Sequence, residues 1–341
     1  MGKIIITDTD LATSARTFRK ELLTLPVHAL SKSLQHMTLR TGIRYEEKVG
    51  ELSADIEIGP YSETRIDDQN ATIKTRVLRT YLGSVVKKFS PNSVYQTVYG
   101  SSITKGEGLK TTEIARTMVS YLAAKIGAGL DAHLFDAVRN DDGTKTVDLF
   151  NGFDTITSTD ITAGNISAAL GNLYAFTEEI DATNAVDQIV AFCRSANDFL
   201  QDKEGVKLFL PRWIYNAYLD DYKATTGAIV YNDKFIKRTV EGFDNIEFVP
   251  MYQKKGSDFL HLTTKNNMLV GVNQTGEEEN IAVEKHEAFI LQFIATLFFG
   301  CQFESVAAER MLVGKLYHKP ATPPAGGGQS DGKEQGGQAT E

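Results

Sequence analysis

TEIARTMVSYLAAKIGAGLDAHLFDAV, residues 112–138, is the stretch on which the reading of this chain turns. Ile114, Met118, Leu122, Ile126, Leu130, Leu134 and Val138 recur every four residues, and Tyr121, Gly129 and His133 widen that row into an apolar face. No proline interrupts it. Thr111 and Thr112 can cap its start with Glu113 in the first turn, while Asn140, Asp141, Asp142 and Gly143 supply turn chemistry at its end. A helix over this span would run roughly 40 Å, far beyond the average helix of about 11–12 residues. Such an element is expected to organise a subunit rather than line a pocket, with Gly127 and Gly129 marking where another backbone comes close.

Before the helix, residues 1–45 carry one helical pattern, at 11–23, and then a polar run through His28, His36 and Arg40 that reads as an arm. From residue 45 to 99 the pattern turns β-like. ADIEI (54–58) and TIKTRVLRTYL (72–82) alternate on either side of the turn-rich GPYSETRIDDQN (59–70), which predicts a long two-stranded projection. An isolated hairpin buries too little to hold itself together in water, so the projection is expected to rest on something outside its own subunit.

After the helix comes TVDLFNGFDTI (146–156), then helical patterns at 165–180 and 184–200, the second with Val186, Ile189, Val190, Cys193 and Leu200 on one side. VKLFLPRWIYNAYLDDY (206–222) reads as an apolar strand stopping at Pro211, which suits the first position of the next helix. Strands are predicted at 246–249, 259–263 and 268–272, followed by a β-rich segment from 281 to 316. Residues 319–341 lack apolar periodicity and are rich in glycine, proline and glutamine, the composition of a disordered tail. No internal repeat is visible.

A chain of 341 residues that is 42% apolar and 23% charged can bury a sizeable core, and its length suggests about two domains. The net charge is −8 with the cations scattered, which argues against tight wrapping of nucleic acid by this chain alone. Cys193 and Cys301 sit inside apolar stretches, which points to buried thiols in a reducing compartment and against a disulfide framework. No stretch approaches the roughly 18 apolar residues of a membrane helix, so an intracellular, soluble product is expected. Ile6 stands where a myristoylation signal at Gly2 would need Ser or Thr.

Local chemistry is sparse. Gly327 to Lys333 satisfies GxxxxGK, but Glu334 replaces the magnesium-binding hydroxyl and neither a strand nor a helix flanks the motif. Gly106 to Thr111 precedes a helix start and could hold an anion, yet reads better as a joint between projection and strut. His28, His36, His133, His261, His286 and His318 are dispersed without metal-ligand spacing. Asp141-Asp142 and Glu277-Glu278-Glu279 lack the alternation of a calcium loop and read as solvated turns. No GxSxG elbow is present, and neither cysteine has a histidine near it in sequence. Trp213, Tyr215, Tyr218 and Tyr222 form an aromatic row better suited to core packing than to stacking a ligand. No catalytic, cofactor-binding or metal residue is assigned, and the chain reads as a non-enzyme.

Taken in order, the phrases of this sequence resemble the major capsid protein family of tailed phages, the Hong Kong 97 fold. The long helix resembles that family's spine helix, and RNDDGTKTVDLFNGF (139–153) its glycine-containing turn and lead into the axial domain. VKLFLPRWIYNAYLDDYKATTGAIVYN (206–232) is similar to the family's strand, proline, aromatic-bearing helix and glycine loop. EGFDNIEFVPMYQKKGSDFLHLTTKNNMLVGVNQ (241–274) resembles a strand ending in Val-Pro before a hairpin, and IAVEKHEAFILQFIATLFFGCQFESVAAERMLVGKL (281–316) the last peripheral strands. The resemblance spans about residues 11–318.

It implies an α+β subunit: N-terminal arm 1–45, extended loop region 46–110, peripheral domain 111–160 with 280–318, axial domain 161–279, and tail 319–341. It also implies a phage or prophage shell protein, assembled in the host cytoplasm into hexamers and pentamers that enclose double-stranded DNA contacted non-specifically. The partners implied are further copies of itself, a separate scaffolding protein, a portal and decoration proteins, with no membrane and no cofactor. Some family members crosslink a lysine in the extended loop, but nothing singles out Lys48, Lys74, Lys87 or Lys88 for that role. An encapsulin-like compartment is the rival within the fold, and a soluble enzyme with an unannounced site the rival outside it.

Overall fold

The computed structural model describes residues 30–53, 61, 72–89, 111–226, 238–273, 280–287 and 290–318. The expected helix at 11–23, the expected strand at 54–58, the GxxxxGK segment and the expected tail all lie outside these residues. Within them the elements run α1 (Ser31–Leu34), β1 (Thr38–Thr41), β2 (Glu46–Ser53), β3 (Thr72–Arg79), β4 (Tyr81–Phe89), α2 (Thr111–Ala132), α3 (Phe153–Thr162), β5 (Leu173–Ala175), α4 (Ala185–Arg194), α5 (Asp198–Gln201), β6 (Val206–Pro211) and α6 (Arg212–Thr226). They continue through β7 (Ile246–Met251), β8 (Phe259–Thr264), β9 (Met268–Asn273), β10 (Asn280–Glu287), β11 (Ile290–Phe303) and β12 (Met311–Lys315).

The long helix is real but shorter than its apolar row. α2 stops at Ala132, and residues 133–136 form turns. The bonds tighten there: the His133 and Leu134 amides donate to Leu130 and Asp131 three residues back. The carbonyls that would have continued the helix are then diverted, because Leu134, Phe135 and Ala137 accept from the amides of Phe153, Asp154 and Gly152 at the start of α3. Gly152 permits this approach, since a Cβ there would lie 2.4 Å from the Phe135 carbonyl oxygen. The 22-residue helix is about 33 Å long. Leu130 and Leu134 are buried, whereas Tyr121 and Val138, counted in the apolar face, are 61% and 56% exposed. Within the chain, the neighbour Gly129 meets is the Thr146 side chain.

Two further differences follow from local chemistry. The span 165–180 is not helical; it holds a short 3-10 turn (Ala168–Leu170) and β5, and the helix lies earlier, at α3. Gly164 and Gly171 adopt positive φ, one just before the span and one directly after its 3-10 turn, and Asn172 pins it through the Ser167 amide and the carbonyls of Asn165 and Val306. The expected strand 72–82 is two strands. At Thr80, buried, with its amide donating to the Tyr45 carbonyl and its hydroxyl to that of Ile43, the chain leaves one sheet for another.

The first sheet contains β11 as its long central strand. β4 runs antiparallel along one edge of it, β10 and β9 lie end to end along the other, and β1 joins β9 in parallel. Residues 30–43, read as part of an arm, are therefore anchored, with Leu30, Met37 and Ile43 buried. The second sheet is ordered β5-β12-β8-β6-β7. Within it α6 links β6 to its parallel neighbour β7, and Asp221 of α6 accepts the Val186 amide at the start of α4. Sheet membership does not follow the borders 161–279 and 280–318: β9 joins the first sheet and β12 the second.

The two-residue period of a strand explains how the second sheet serves two cores. Phe209, Val249, Met251, Met311 and Val313 enter the core shared with α3, Phe135 and the β11 residues Phe299 and Phe303. Their alternates Leu208, Leu210, Phe248, Leu260, Leu262 and Leu312 enter a second core under α4 and α6, with Ile189, Phe192 and Tyr218. The expected helix 184–200 breaks into α4 and α5, with the Asn197 side chain accepting the Phe199 amide to cap the second piece.

Candidate assembly surfaces

The hairpin β2–β3 is paired in one unbroken antiparallel register from Glu46↔Arg79 to Ser53↔Thr72. Its base is held to the body by a small core of Ile43, Val49, Leu78 and Leu269. Arg76 adds a second tether: its guanidinium donates to both Asp160 carboxylate oxygens, at 3.2 and 2.6 Å, and to Gln302 at 2.9 Å. The two ionised side chains are 16% and 9% exposed, so the pair is mostly withdrawn from water. On the hairpin, Glu46, Glu47, Lys48, Gly50, Thr75 and Arg79 are exposed.

β4 carries an uncovered apolar surface. Its outer edge has no strand partner among the described residues. Leu82, Val85 and Val86 are 43%, 39% and 56% exposed, and successive residues of a strand point to opposite faces, so neither face is fully covered. Across the ribbon, Val86 pairs with Ile294 and Ile294 with Ala282, which makes one apolar row over three strands. An exposed, unpaired strand edge with apolar side chains is a template for another chain. Lys87 and Lys88 lie exposed on β4 and Lys48 on β2. Leu170, Phe199 and Trp213 are exposed in the part of the chain that builds the second sheet. Of the aromatic row, Tyr215 and Tyr218 are core as expected and Trp213 is not.

Among the described residues nothing comparable announces chemistry. Both thiols are buried, and burial pushes Cys193 up to about 12 and Cys301 higher still, so neither is a ready nucleophile at neutral pH. Among the described residues no group of three or more His, Cys, Asp or Glu side chains could hold a metal ion. His36 contacts Lys207 in a part-buried pair, and His133 contacts Asp136 and His318 contacts Asp258 at the surface, three separate pairs. Asp141-Asp142 forms the expected turn, with Asn140 accepting the Asp142 amide through its side chain; Glu277–Glu279 lie outside the described residues. An open cleft of about 370 Å³ at the hairpin base is lined by Arg76, Arg79, Tyr81, Asn151 and Gln302. Among the described residues no helix is long and apolar enough to cross a membrane.

Comparison with solved structures places this arrangement. A chain of the satellite phage P4 procapsid, a structure that includes the size determination (Sid) protein, matches with a TM-score of 0.53 at 8% identity over 85% of this chain and 98% of that one. A chain of the cyanophage A-1(L) capsid asymmetric unit matches at 0.51 and 11% identity, over 86% and 92%. One from the capsid of an empty GTA particle matches at 0.50 and 11%, over 83% and 89%. The chain has the Hong Kong 97 capsid fold. No family model matches it, and no curated protein matches it in sequence. The fold is therefore shared across nearly the whole length of these capsid chains at only 8–11% sequence identity. What sequence reasoning missed is the burial map: the turn at Thr80 that sends β3 and β4 into different sheets, and the resulting bare edge of β4.

Proposed function

We infer that this chain is the major capsid protein of a tailed bacteriophage or prophage, a self-assembling subunit of an icosahedral shell around double-stranded DNA. The observation that carries the reading is a pair of exposed surfaces, the charged side of the β2–β3 hairpin and the apolar β4, whose outer edge has no strand partner among the described residues. Repeated identical contacts between such surfaces close a shell, and the fold shared with capsid chains supplies the geometry. A fold alone does not fix a function, so the surfaces and not the likeness bear the weight. The assembly unit is a hexamer or pentamer. The sheet containing β6 and β8, with α4 and α6, forms the axial domain; α2 and the sheet around β11 form the peripheral domain, into which β4 of the extended loop region 46–110 and β1 of the N-terminal arm 1–45 pair. A scaffolding protein, a portal and decoration proteins are its partners, and DNA is held without sequence readout, in keeping with scattered cations on an acidic chain. No reaction is assigned to it; assembly in the host cytoplasm and residence in the virion complete the reading. The test is induction of the source lysogen or infection of its host, followed by mass spectrometry of density-banded, DNA-filled particles. This chain should be the most abundant protein in the band, and its absence from filled particles would refute the assignment.

A further inference from the structure

A polar cluster lies where the two sheets, α2 and the residues before β1 converge; Ser33, Asp131, Gln253, Lys254 and His261 are buried in it while Tyr252 is 60% exposed at its rim, and one short turn is common to all of it. The 3-10 turn Tyr252–Lys254 follows β7 directly. On one side, Asp131 in the last turn of α2 accepts from Tyr252 Oη at 2.5 Å, from Gln253 Nε2 at 3.0 Å and from Ser33 Oγ of α1 at 2.5 Å, and Gln253 also donates to Ser33 at 2.8 Å. On the other side, Lys254, with no exposed surface, donates to Asp154 Oδ1 of α3 at 2.8 Å and lies 3.2 Å from His261 Nδ1 of β8. Its ammonium also sits 4.3 Å from the centre of the Phe135 ring.

With Lys254 charged and paired to Asp154, the hydrogens in this cluster have one consistent arrangement. An ammonium has no acceptor, so His261 Nδ1 must accept from Lys254, which leaves the ring hydrogen on Nε2. Nε2 then donates to Thr157 Oγ1 at 2.8 Å, and that hydroxyl donates to the Phe153 carbonyl at 2.8 Å. His261 is thus neutral and fully used. The charged groups that face it are Lys254 from the turn and Asp154 from α3, the latter 3.9 Å from Nδ1. The other neighbours are apolar: Phe135, Phe303 of β11, and the strand partners Phe209 and Val313. A second proton on the ring would turn Nδ1 into a donor aimed at an ammonium 3.2 Å away, in a site without water-facing surface.

We propose that Tyr252–Lys254 is an acid-opened latch: protonation of His261 expels Lys254 from its pocket, and the displaced turn releases Asp131 and Ser33, freeing α2 and the residue 30–37 segment from the sheets. The latch belongs to the subunit itself and stands independently of the shell reading. Burial and the adjacent ammonium hold the His261 imidazole well below its ordinary range, while burial pushes Lys254 down from its own. In the unfolded chain His261 protonates near pH 6.5, so the folded state binds fewer protons below that point and loses stability as pH falls through it.

Hydrogen exchange followed by mass spectrometry, corrected for intrinsic rates, tests this at about pH 7.5 and about pH 5. Peptides covering 30–37 and 123–132 should exchange at least about tenfold faster in acid, with the α4–α6 core unchanged. In His261→Gln, whose amide can accept from Lys254 and donate to Thr157 without titrating, the acid response of those peptides should vanish. Equal acid responses in both proteins, or none in the native chain, would overturn the proposal. If His261→Gln does not fold, the NMR titration of the native His261 ring decides: a shift near pH 6.5 with these peptides still protected overturns the latch, and a ring neutral until the peptides open upholds it.

Discussion

At the scale of single residues, this fold depends on places where side chains are missing or singly tethered. A Cβ at Gly300 in β11 would lie 1.9 Å from the Arg79 carbonyl oxygen, which is backbone and cannot swing away. Gly300→Ala should therefore lower stability by about 3 kcal/mol, read as a fall in the urea midpoint. Gly42→Ala is the control, with a left-handed φ of +82° and nothing within 4 Å; it should cost only about 1 kcal/mol. Arg76→Ala would strand the mostly buried Asp160 carboxylate at about 3 kcal/mol. Limited proteolysis should then cut the β2–β3 hairpin faster while leaving the second sheet intact; unchanged cutting would show that the small core around Leu78 suffices as an anchor. The Lys254–His261–Asp154 cluster was illegible in sequence for a physical reason. β8 is buried on both faces over residues 260–264, so no alternation marks His261 as special, and Lys254 sits in a turn where lysine is ordinarily solvated.

At the scale of elements, hydrophobic period identified helices and strands but not the places where hydrogen bonds change partner. The four-residue row of residues 112–138 outlasts α2 because Leu134, Phe135 and Ala137 stay buried after the helix ends, their carbonyls serving α3 instead. The row also divides by depth. Leu130 is 2% exposed and packs in the core between the sheets, whereas Leu122 is only half-buried in the subunit. Leu130→Asp should cost about 4 kcal/mol by burying an unpaired carboxylate, giving an insoluble or unfolded chain. Leu122→Asp should keep native circular dichroism but fail to assemble; if it assembles normally, the outer half of that face is not a contact surface. The strands β6 to β9 were readable because each is a short apolar run bounded by turns, and the Thr80 break was not, since its cause is a pair of hydrogen bonds to Ile43 and Tyr45 far back in the chain.

At the scale of the whole molecule, the order of elements was legible and their partnership was not. Nothing local says that β9 crosses to the first sheet or that β12 crosses back to the second, because sheet membership is set by packing between distant segments. The outcome, among the described residues, is a body with two apolar cores and two exposed margins, the hairpin and the β4 edge, which the proposed assembly would cover. Electron microscopy of the purified chain, with its scaffold if it needs one, addresses this most directly. The account predicts closed shells, or hexameric and pentameric rings in which the hairpin of one subunit lies on the next. A chain that remains a stable, folded monomer at high concentration in the presence of its scaffold would contradict it.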